Sequence, residues 1–200
     1  MQVRFNYIEY WDDNYSNGGT SGRGSYGELA DFKAEVVNEL VERNGVRTVI
    51  EFGCGDGNQL SLMKYPEYLG LDVAASAVQL CTERFKDDPG KRFMQYDPRT
   101  FADGKLSKFD MVVCLDVLYH ITDDEDFEAT LRHIFDSSSD LVVLYTRLTT
   151  GKEAHVVDTI KDRDIFGHLR KFPDFSIEAI VPQRYRDQSS SDFIIMRKTT

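Results

Sequence analysis

The sequence predicts an α/β domain with a doubly wound, mainly parallel sheet that ends in an antiparallel hairpin. Short β-branched strands alternate with amphipathic helices along most of the chain, which is typical of a parallel sheet covered on both faces. Two strands at 176–181 and 192–197 follow one another across a polar connection, so they predict the C-terminal hairpin. A chain of 200 residues has room for one complete core.

The predicted elements follow one another at short intervals. The first helix is predicted over 28–44, where apolar residues recur at helical spacing and Asn44-Gly45 provides a stop. The apolar run at 109–115 is the strongest strand signal in the chain. Acidic residues open the predicted helix at 123–135, as the helix dipole favours. The remaining elements are strands at 47–52, 68–72, 92–96 and 140–146, a helix at 74–85, and a mixed segment at 155–172.

The net charge and the cysteine content indicate which binding partners and which cellular compartment to expect. A net charge of −10 opposes binding to nucleic acid, which requires clustered cations. The three cysteines, Cys54, Cys81 and Cys114, form no CxxC pair, so we expect reduced thiols in a cytoplasmic protein and no metal site. The N-terminus has no apolar signal core, and no apolar run reaches the roughly 20 residues of a membrane span.

The most informative stretch is a glycine turn that follows the predicted strand at 47–52. The strand carries the acidic Glu51 near its end and then turns through Gly53, Gly55 and Gly57. Glycines let a ligand lie against the main chain, and open parallel sheets bind ligands at this end of their strands. A dinucleotide site would need its third glycine one residue later, and an acidic neighbour suits a cationic ligand better than a pyrophosphate.

A second acidic residue, Asp72, ends the next predicted strand. It follows Gly53 by 19 residues, so it is expected at the same edge of the sheet. A carboxylate in this place accepts hydrogen bonds from both hydroxyls of a ribose. The alternative is a carboxylate that caps the helix beginning just after it. The pairing with the glycine turn favours ribose binding.

These motifs resemble those of the class I S-adenosylmethionine-dependent methyltransferases over about residues 46–146. Glu51 to Gly57 is similar to the family's first motif, Asp72 to its second, Asp97 to its third, and 115–121 to its fourth. The resemblance implies a Rossmann-like fold and S-adenosylmethionine as cofactor, whose sulfonium and ammonium suit Glu51. It implies cofactor contacts by Glu51, Gly53, Cys54, Gly55, Gly57, Asp72, Val73, Asp97 and Leu115.

The segment 1–27 is aromatic and then rich in glycine and serine, which suits a cover over a ligand. It resembles the lid of a small bacterial methyltransferase subgroup, some of whose members occur beside enzymes of cell-surface polysaccharide assembly. The resemblance implies cofactor contacts by Trp11, Tyr15 and Tyr26, a methyltransferase domain over 28–200, and a sugar hydroxyl as acceptor. The alternative for this segment is a disordered leader.

Methyl transfer to an alcohol requires a general base, and two residues after the strand at 109–115 are candidates. His120 titrates near neutrality and lies five residues after Leu115, although it could equally be a packing or capping residue. Asp116 is a second candidate, as a base, as a partner that orients His120, or as a contact of the cofactor's methionine end. The two form the predicted catalytic pair.

The sequence therefore favours O-methylation of a small polar, sugar or glycan hydroxyl. N- or S-methylation of a small metabolite remains an alternative within the same class. A methyltransferase-like module that binds the cofactor without turnover is the alternative from another class, and a nicotinamide-dependent oxidoreductase is a distant third. No Asn/Asp-Pro-Pro-Tyr run follows the strand at 109–115, which disfavours methylation of base or glutamine amines.

Overall fold

A computed structural model describes residues 5–101, 107–149 and 154–199. The described helices are α1 (Tyr7–Ser16), α2 (Gly27–Asn44), α3 (Ala75–Arg84), α4 (Asp124–Asp136) and α5 (Ile165–Leu169). The described strands are β1 (Thr48–Phe52), β2 (Glu67–Asp72), β3 (Lys91–Gln95), β4 (Phe109–Leu115), β5 (Ser138–Arg147), β6 (Ala154–Val157), β7 (Ile160–Asp162), β8 (Phe175–Val181) and β9 (Ser191–Lys198). Every strand and helix predicted individually is present, with bounds shifted by two residues or fewer.

Seven strands form one sheet in the order β3-β2-β1-β4-β5-β9-β8. The first five are parallel, while β9 runs antiparallel to β5 and β8 antiparallel to β9. The Rossmann-like α/β sheet and the C-terminal antiparallel hairpin are thus confirmed. Because β9 lies between β5 and β8, the first six residues of β9 are buried and β8 forms the outer edge.

Each face of the sheet contributes to a separate apolar core. Along β4, Val112 and Cys114 point to one side, while Met111, Val113 and Leu115 point to the other. This alternation is a consequence of the two-residue period of a strand. Side chains of α1, α4 and α5 cover the first face, and side chains of α2 and α3 cover the second.

The helix ends follow the predicted capping chemistry. Helix α2 stops at Gly45, whose φ of 60° is left-handed, a conformation that glycine adopts without penalty. Helix α4 begins after Asp123, whose carboxylate accepts hydrogen bonds from the backbone N–H groups of Glu125 and Asp126. The acidic run at this point is therefore a helix start.

The N-terminal segment contains a helix that periodicity did not predict. Asn6 caps α1, and Tyr15 of α1 is buried. Asp12 fixes α1 to α3, because its Oδ1 accepts hydrogen bonds from the backbone N–H and the hydroxyl of Ser76 at 2.9 and 2.7 Å. The described part of the segment is thus folded onto the sheet domain, which does not support the disordered leader.

The mixed segment consists of a small β6–β7 hairpin followed by α5. Ion pairs hold the hairpin in place: Arg147 of β5 binds both carboxylate oxygens of Asp162, and Arg163 binds Asp124 of α4. Charged side chains rather than an apolar stripe anchor this element. Within the described residues, no helix has the length and apolar character that a membrane crossing requires.

Replacing Asp12 with alanine should lower the free energy of unfolding by about 1 kcal/mol. The physical reason is that Ala74, the N-cap residue of α3, has no capping side chain, so Asp12 supplies the cap from another helix. Urea denaturation of Asp12→Ala measures the effect. Asp13→Ala is the control, because Asp13 is exposed on the same helix; equal losses in the two variants would contradict the capping role.

Candidate active site

A cavity of about 270 Å³ lies at the carboxyl ends of β1, β2 and β4. The cavity opens beside β1, which has β2 on one side and β4 on the other. At this point the strands that follow along the chain switch from one side of β1 to the other, and open α/β sheets bind ligands at such a switch point. The N-terminal segment lies across the cavity and contributes Trp11, Tyr15 and residues 21–25 to its wall. A ligand bound here would contact strand ends below and the N-terminal segment above.

The glycine turn after β1 forms one wall of the cavity. Backbone N–H groups of Gly53 and Cys54 donate to the carbonyl of Leu71 in β2, at 2.7 and 3.0 Å. Gly53 and Gly55 have φ values of 90° and 55°, which favour glycine. A side chain at Gly53 would also overlap Val117, so the turn requires glycine for space as well as conformation.

Gly57 has a structural role next to the cavity rather than within its wall. Its φ is 74°, and a Cβ there would lie 2.8 Å from Phe85 Cε2 and 3.0 Å from Cys81 Sγ. The missing side chain therefore lets the turn pack closely against α3. Gly57 is absent from the lining of the cavity, so the structure does not bring it to the predicted cofactor site.

Asp72 lies on the cavity wall at the end of β2. Its Oδ2 accepts from the backbone N–H of Gly55 at 2.9 Å, and its Oδ1 accepts from the N–H of Ala74 at 3.0 Å. Burial raises the pKa of Asp72 to about 6, against the lowering by its backbone hydrogen bonds. The carboxylate is thus fixed in place by main-chain donors.

Glu51 is a buried carboxylate in the same wall. Its Oε2 accepts a hydrogen bond of 2.6 Å from the hydroxyl of Tyr68. Burial raises the pKa of Glu51 to about 7, while Tyr68 and the Lys33 ammonium lower it. A cationic ligand beside Glu51 would stabilise the ionised carboxylate, since opposite charges attract strongly in a desolvated site.

Asp116 follows β4 directly, lines the cavity and is held by three donors. Lys33 Nζ lies 2.9 Å from Oδ2, and the hydroxyls of Tyr119 and Ser191 lie 2.8 and 3.1 Å from Oδ1. Asp116 has a φ of 59° and is the single non-glycine residue with a positive φ in the described ranges. Three donors thus fix the Asp116 carboxylate in place, and its expected role as a base stays a prediction.

His120 follows Asp116 in a 3-10 turn, Leu118–His120, and borders the same cavity. Its Nδ1 lies 2.7 Å from the backbone carbonyl of Thr159 in the β6–β7 turn. Because a carbonyl only accepts hydrogen bonds, Nδ1 carries the proton and Nε2 keeps its lone pair. Burial lowers the pKa of His120, which favours this neutral form. The described residues show no hydrogen bond between His120 and Asp116, so the expected orienting contact is replaced by Thr159.

The N-terminal segment is joined to the glycine turn by hydrogen bonds. Asp56 Oδ2 accepts from the backbone N–H of Ser21 and from the hydroxyl of Tyr26, both at 2.8 Å. The rings of Trp11 and Tyr15 stack with centroids 5.8 Å apart, and both line the cavity. Tyr26 lies outside the lining and contacts Asp56 instead.

Eleven of the fourteen predicted site residues line one cavity. They are Trp11, Tyr15, Glu51, Gly53, Cys54, Gly55, Asp72, Val73, Leu115, Asp116 and His120. Asp97 is exposed and outside the lining, where its carboxylate accepts from the backbone N–H of Arg99 at 2.9 Å. The structure therefore does not bring Asp97 to the cavity, and Tyr96 lines it at that strand end.

Sequence reasoning missed Lys33, a buried lysine of α2 on the cavity wall. Lys33 lies four residues after Leu29 and four before Val37, both of which are buried on the apolar stripe of α2. A lysine at such a position is rarely buried without a partner. This break in the stripe was the signal that could have identified it.

Comparisons with known proteins agree with this fold. Residues 50–140, which are 91 of 200, match a family model described as "Methyltransferase domain". The N-methyltransferase NodS from Bradyrhizobium japonicum WM9, solved with S-adenosyl-L-homocysteine, aligns over 98% of this chain and 100% of its own, with 13% identity and a TM-score of 0.74. No curated protein sequence gives a match.

Two further solved structures are similar. Magnesium protoporphyrin IX methyltransferase from Synechocystis PCC 6803 with bound SAH is 19% identical over 96% of this chain and 98% of its own, with a TM-score of 0.66. A S-adenosylmethionine-dependent methyltransferase from Clostridium acetobutylicum ATCC 824 is 12% identical over 98% and 100%, with a TM-score of 0.67. At these identities the likeness shows the fold.

The sheet order, the strand-end cavity and the matched domain define a methyltransferase with the Rossmann-like class I fold. The match to the methyltransferase domain confirms the prediction of an S-adenosylmethionine-dependent methyltransferase and of its cofactor. Glu51, the glycine turn and Asp72 fit the cofactor, since they offer a buried carboxylate to a cation, open main chain, and a fixed carboxylate to a ribose.

Affinity for S-adenosylmethionine should fall about tenfold between pH 8 and pH 6. Glu51 is ionised above its raised pKa of about 7 and loses its charge as the pH drops through that value. Calorimetric titration of the wild type and of Glu51→Gln at both pH values measures the change. The amino group of the cofactor titrates equally in both proteins, so a pH dependence that persists undiminished in Glu51→Gln would contradict this role.

Proposed function

We propose that the enzyme methylates a hydroxyl oxygen of a small polar acceptor and that His120 is the general base. The observation that carries this proposal is the hydrogen bond between His120 Nδ1 and the carbonyl of Thr159. It leaves the lone pair of Nε2 available on a residue that lines the cavity, and burial favours the neutral imidazole. An alcohol needs such a base, whereas a thiol or a neutral amine needs less help.

The predicted cofactor contacts support a single orientation of the cofactor. Asp72 and the main chain of the glycine turn would contact the adenosine, and Glu51 would lie beside the methionine ammonium. In this orientation the methyl group would point toward Asp116 and His120, which line the same cavity. Trp11, Tyr15, Cys54, Val73 and Leu115 would supply apolar contacts along the same wall.

The chain's residues have two tasks in the transfer. S-adenosylmethionine supplies a methyl group that is already activated on a sulfonium. His120 Nε2 would receive the proton of the acceptor hydroxyl as its oxygen bonds to the methyl carbon, and the departing sulfur would keep the electron pair of the broken bond. The cavity walls would align the oxygen with the methyl and exclude water, which favours an in-line displacement.

The size and cover of the cavity support a small acceptor such as a sugar or the end of a glycan. The cavity of about 270 Å³ has residues 21–25 in its lining, which favours a small acceptor over a folded macromolecule. We infer that the segment 1–27 acts as a lid that admits the cofactor and acceptor. Three buried free thiols support a reducing, cytoplasmic setting.

Replacing His120 with glutamine should lower the rate of methyl transfer about 100- to 10,000-fold, because the hydroxyl loses its proton acceptor. Transfer of labelled methyl to a panel of hydroxylated acceptors measures the rate, and calorimetry with S-adenosylhomocysteine checks that the cofactor site is intact. His168→Gln is the matched control, since His168 lies outside the cavity. Full activity in His120→Gln would exclude His120 as the general base. Methyl transfer only to nitrogen or sulfur would exclude a hydroxyl oxygen as the acceptor.

At saturating cofactor, kcat should rise with pH through an apparent pKa below 6.5 and then reach a plateau. The base must be neutral to act, and burial holds the pKa of His120 below its ordinary value of 6.5. A pH profile between 5 and 8 tests this expectation. A profile whose apparent pKa lies above 6.5 would indicate that another residue is the base. A pH profile that is unchanged in His120→Gln would indicate the same.

A further inference from the structure

Lys33 brings a buried positive charge to the end of the cavity where the acceptor would bind. The side chain is 1% exposed, and its Nζ lies 2.9 Å from Asp116 Oδ2 and 5.4 Å from the centre of the Tyr145 ring. Burial of an ammonium is unfavourable unless a partner compensates for the lost water. Asp116 provides that partner, and Lys33 also interacts favourably with Glu51.

The hydrogen bonds of Lys33 and Asp116 are incomplete. An ammonium has three N–H donors, and Asp116 is the one hydrogen-bond acceptor that Lys33 has among the described residues. On Asp116, Oδ1 accepts from two hydroxyls while Oδ2 accepts from Lys33 alone. Spare donors and a spare acceptor lone pair therefore lie next to each other beside the cavity.

Gly24 keeps the space beside Asp116 open. A Cβ at Gly24 would lie 2.9 Å from Asp116 Oδ2, closer than a normal contact. Any larger residue would thus crowd the oxygen that has a free lone pair. The lid segment passes close to the Lys33–Asp116 pair and still leaves it accessible from the cavity, whose lining includes all three residues.

We propose that Lys33 and Asp116 together bind two neighbouring hydroxyl groups of the acceptor, which makes a vicinal diol the recognised feature. Lys33 would donate to one hydroxyl oxygen, and the other hydroxyl would donate to Asp116 Oδ2. The distance of 2.9 Å between Nζ and Oδ2 resembles the separation of adjacent hydroxyl oxygens in a gauche diol. This inference rests on the proposed oxygen transfer.

His120 lines the same cavity as the Lys33–Asp116 pair. Tyr119 connects the two parts of the site, because its hydroxyl donates to Asp116 Oδ1 and its ring lies 4.4 Å from the His120 ring. A diol held by Lys33 and Asp116 therefore lies in the same cavity as the free Nε2 of His120. Charge favours a neutral acceptor, because an anion would meet Asp116 and an ammonium would meet Lys33.

The test compares matched alcohols as acceptors of labelled methyl from S-adenosylmethionine. The probes are trans-cyclohexane-1,2-diol against cyclohexanol, and methyl glucopyranoside against its 2-deoxy and 3-deoxy analogues. We expect the wild type to prefer the diol in each pair, and Lys33→Met to lose about 10- to 100-fold in kcat/KM for diols, mainly through KM. For the monohydroxy or deoxy partner the loss should be about threefold or less.

Controls separate this result from a folding defect. Lys91→Met replaces another mostly buried lysine, on β3 outside the cavity, and should leave the preference unchanged. Lys33→Met combined with Asp116→Asn removes both charges, so it avoids an unpaired buried carboxylate. Affinity for S-adenosylhomocysteine within about threefold of the wild type shows that each variant is folded.

The possible outcomes separate the two proposals. If diols are preferred and Lys33→Met abolishes the preference, the inference is supported. If the preference is absent, or persists in both Lys33 variants with the cofactor site intact, the diol inference is overturned while oxygen transfer stands. If no hydroxylated probe is methylated while amines or thiols are, the proposed function and the inference both fall.

Discussion

The site depends on the hydrogen bonds that join the glycine turn to the end of β2. The carbonyl of Leu71 accepts from Gly53 and Cys54, and Asp72 accepts from Gly55. These bonds fix the main chain in a form that only glycines accommodate and place one carboxylate beside it. Because the sheet carries both strand ends to the same edge, the glycine turn and the carboxylate line one cavity before any ligand binds.

Two kinds of charged group line this one cavity. Glu51 and Asp72 are carboxylates whose pKa values are raised by burial, so a bound cation would stabilise their ionised forms. Lys33 and Asp116 form an ion pair, and burial lowers the pKa of His120. This difference supports the proposal of a charged methyl donor and an uncharged acceptor.

Much of the fold could be predicted because local pattern and tertiary structure agree in it. The strand Phe109–Leu115 has the predicted bounds, and Gly45 and Asp123 act at helix ends as their chemistry suggests. The small β6–β7 hairpin was missed because ion pairs hold it. Lys33 was missed because a polar residue on an apolar stripe reveals its partner only in three dimensions, and Asp97 was misplaced because its motif position says nothing of exposure.

The central claim is that the turn after β1 and the carboxylate that ends β2 bind one cofactor. Amide chemical shifts of ¹⁵N-labelled protein during titration with S-adenosylhomocysteine test it most directly. The account predicts saturable shifts that are largest at Gly53, Cys54, Gly55 and Asp72, and a loss of saturation in Asp72→Ala. Shifts that never saturate, or that concentrate away from these four amides, would contradict it.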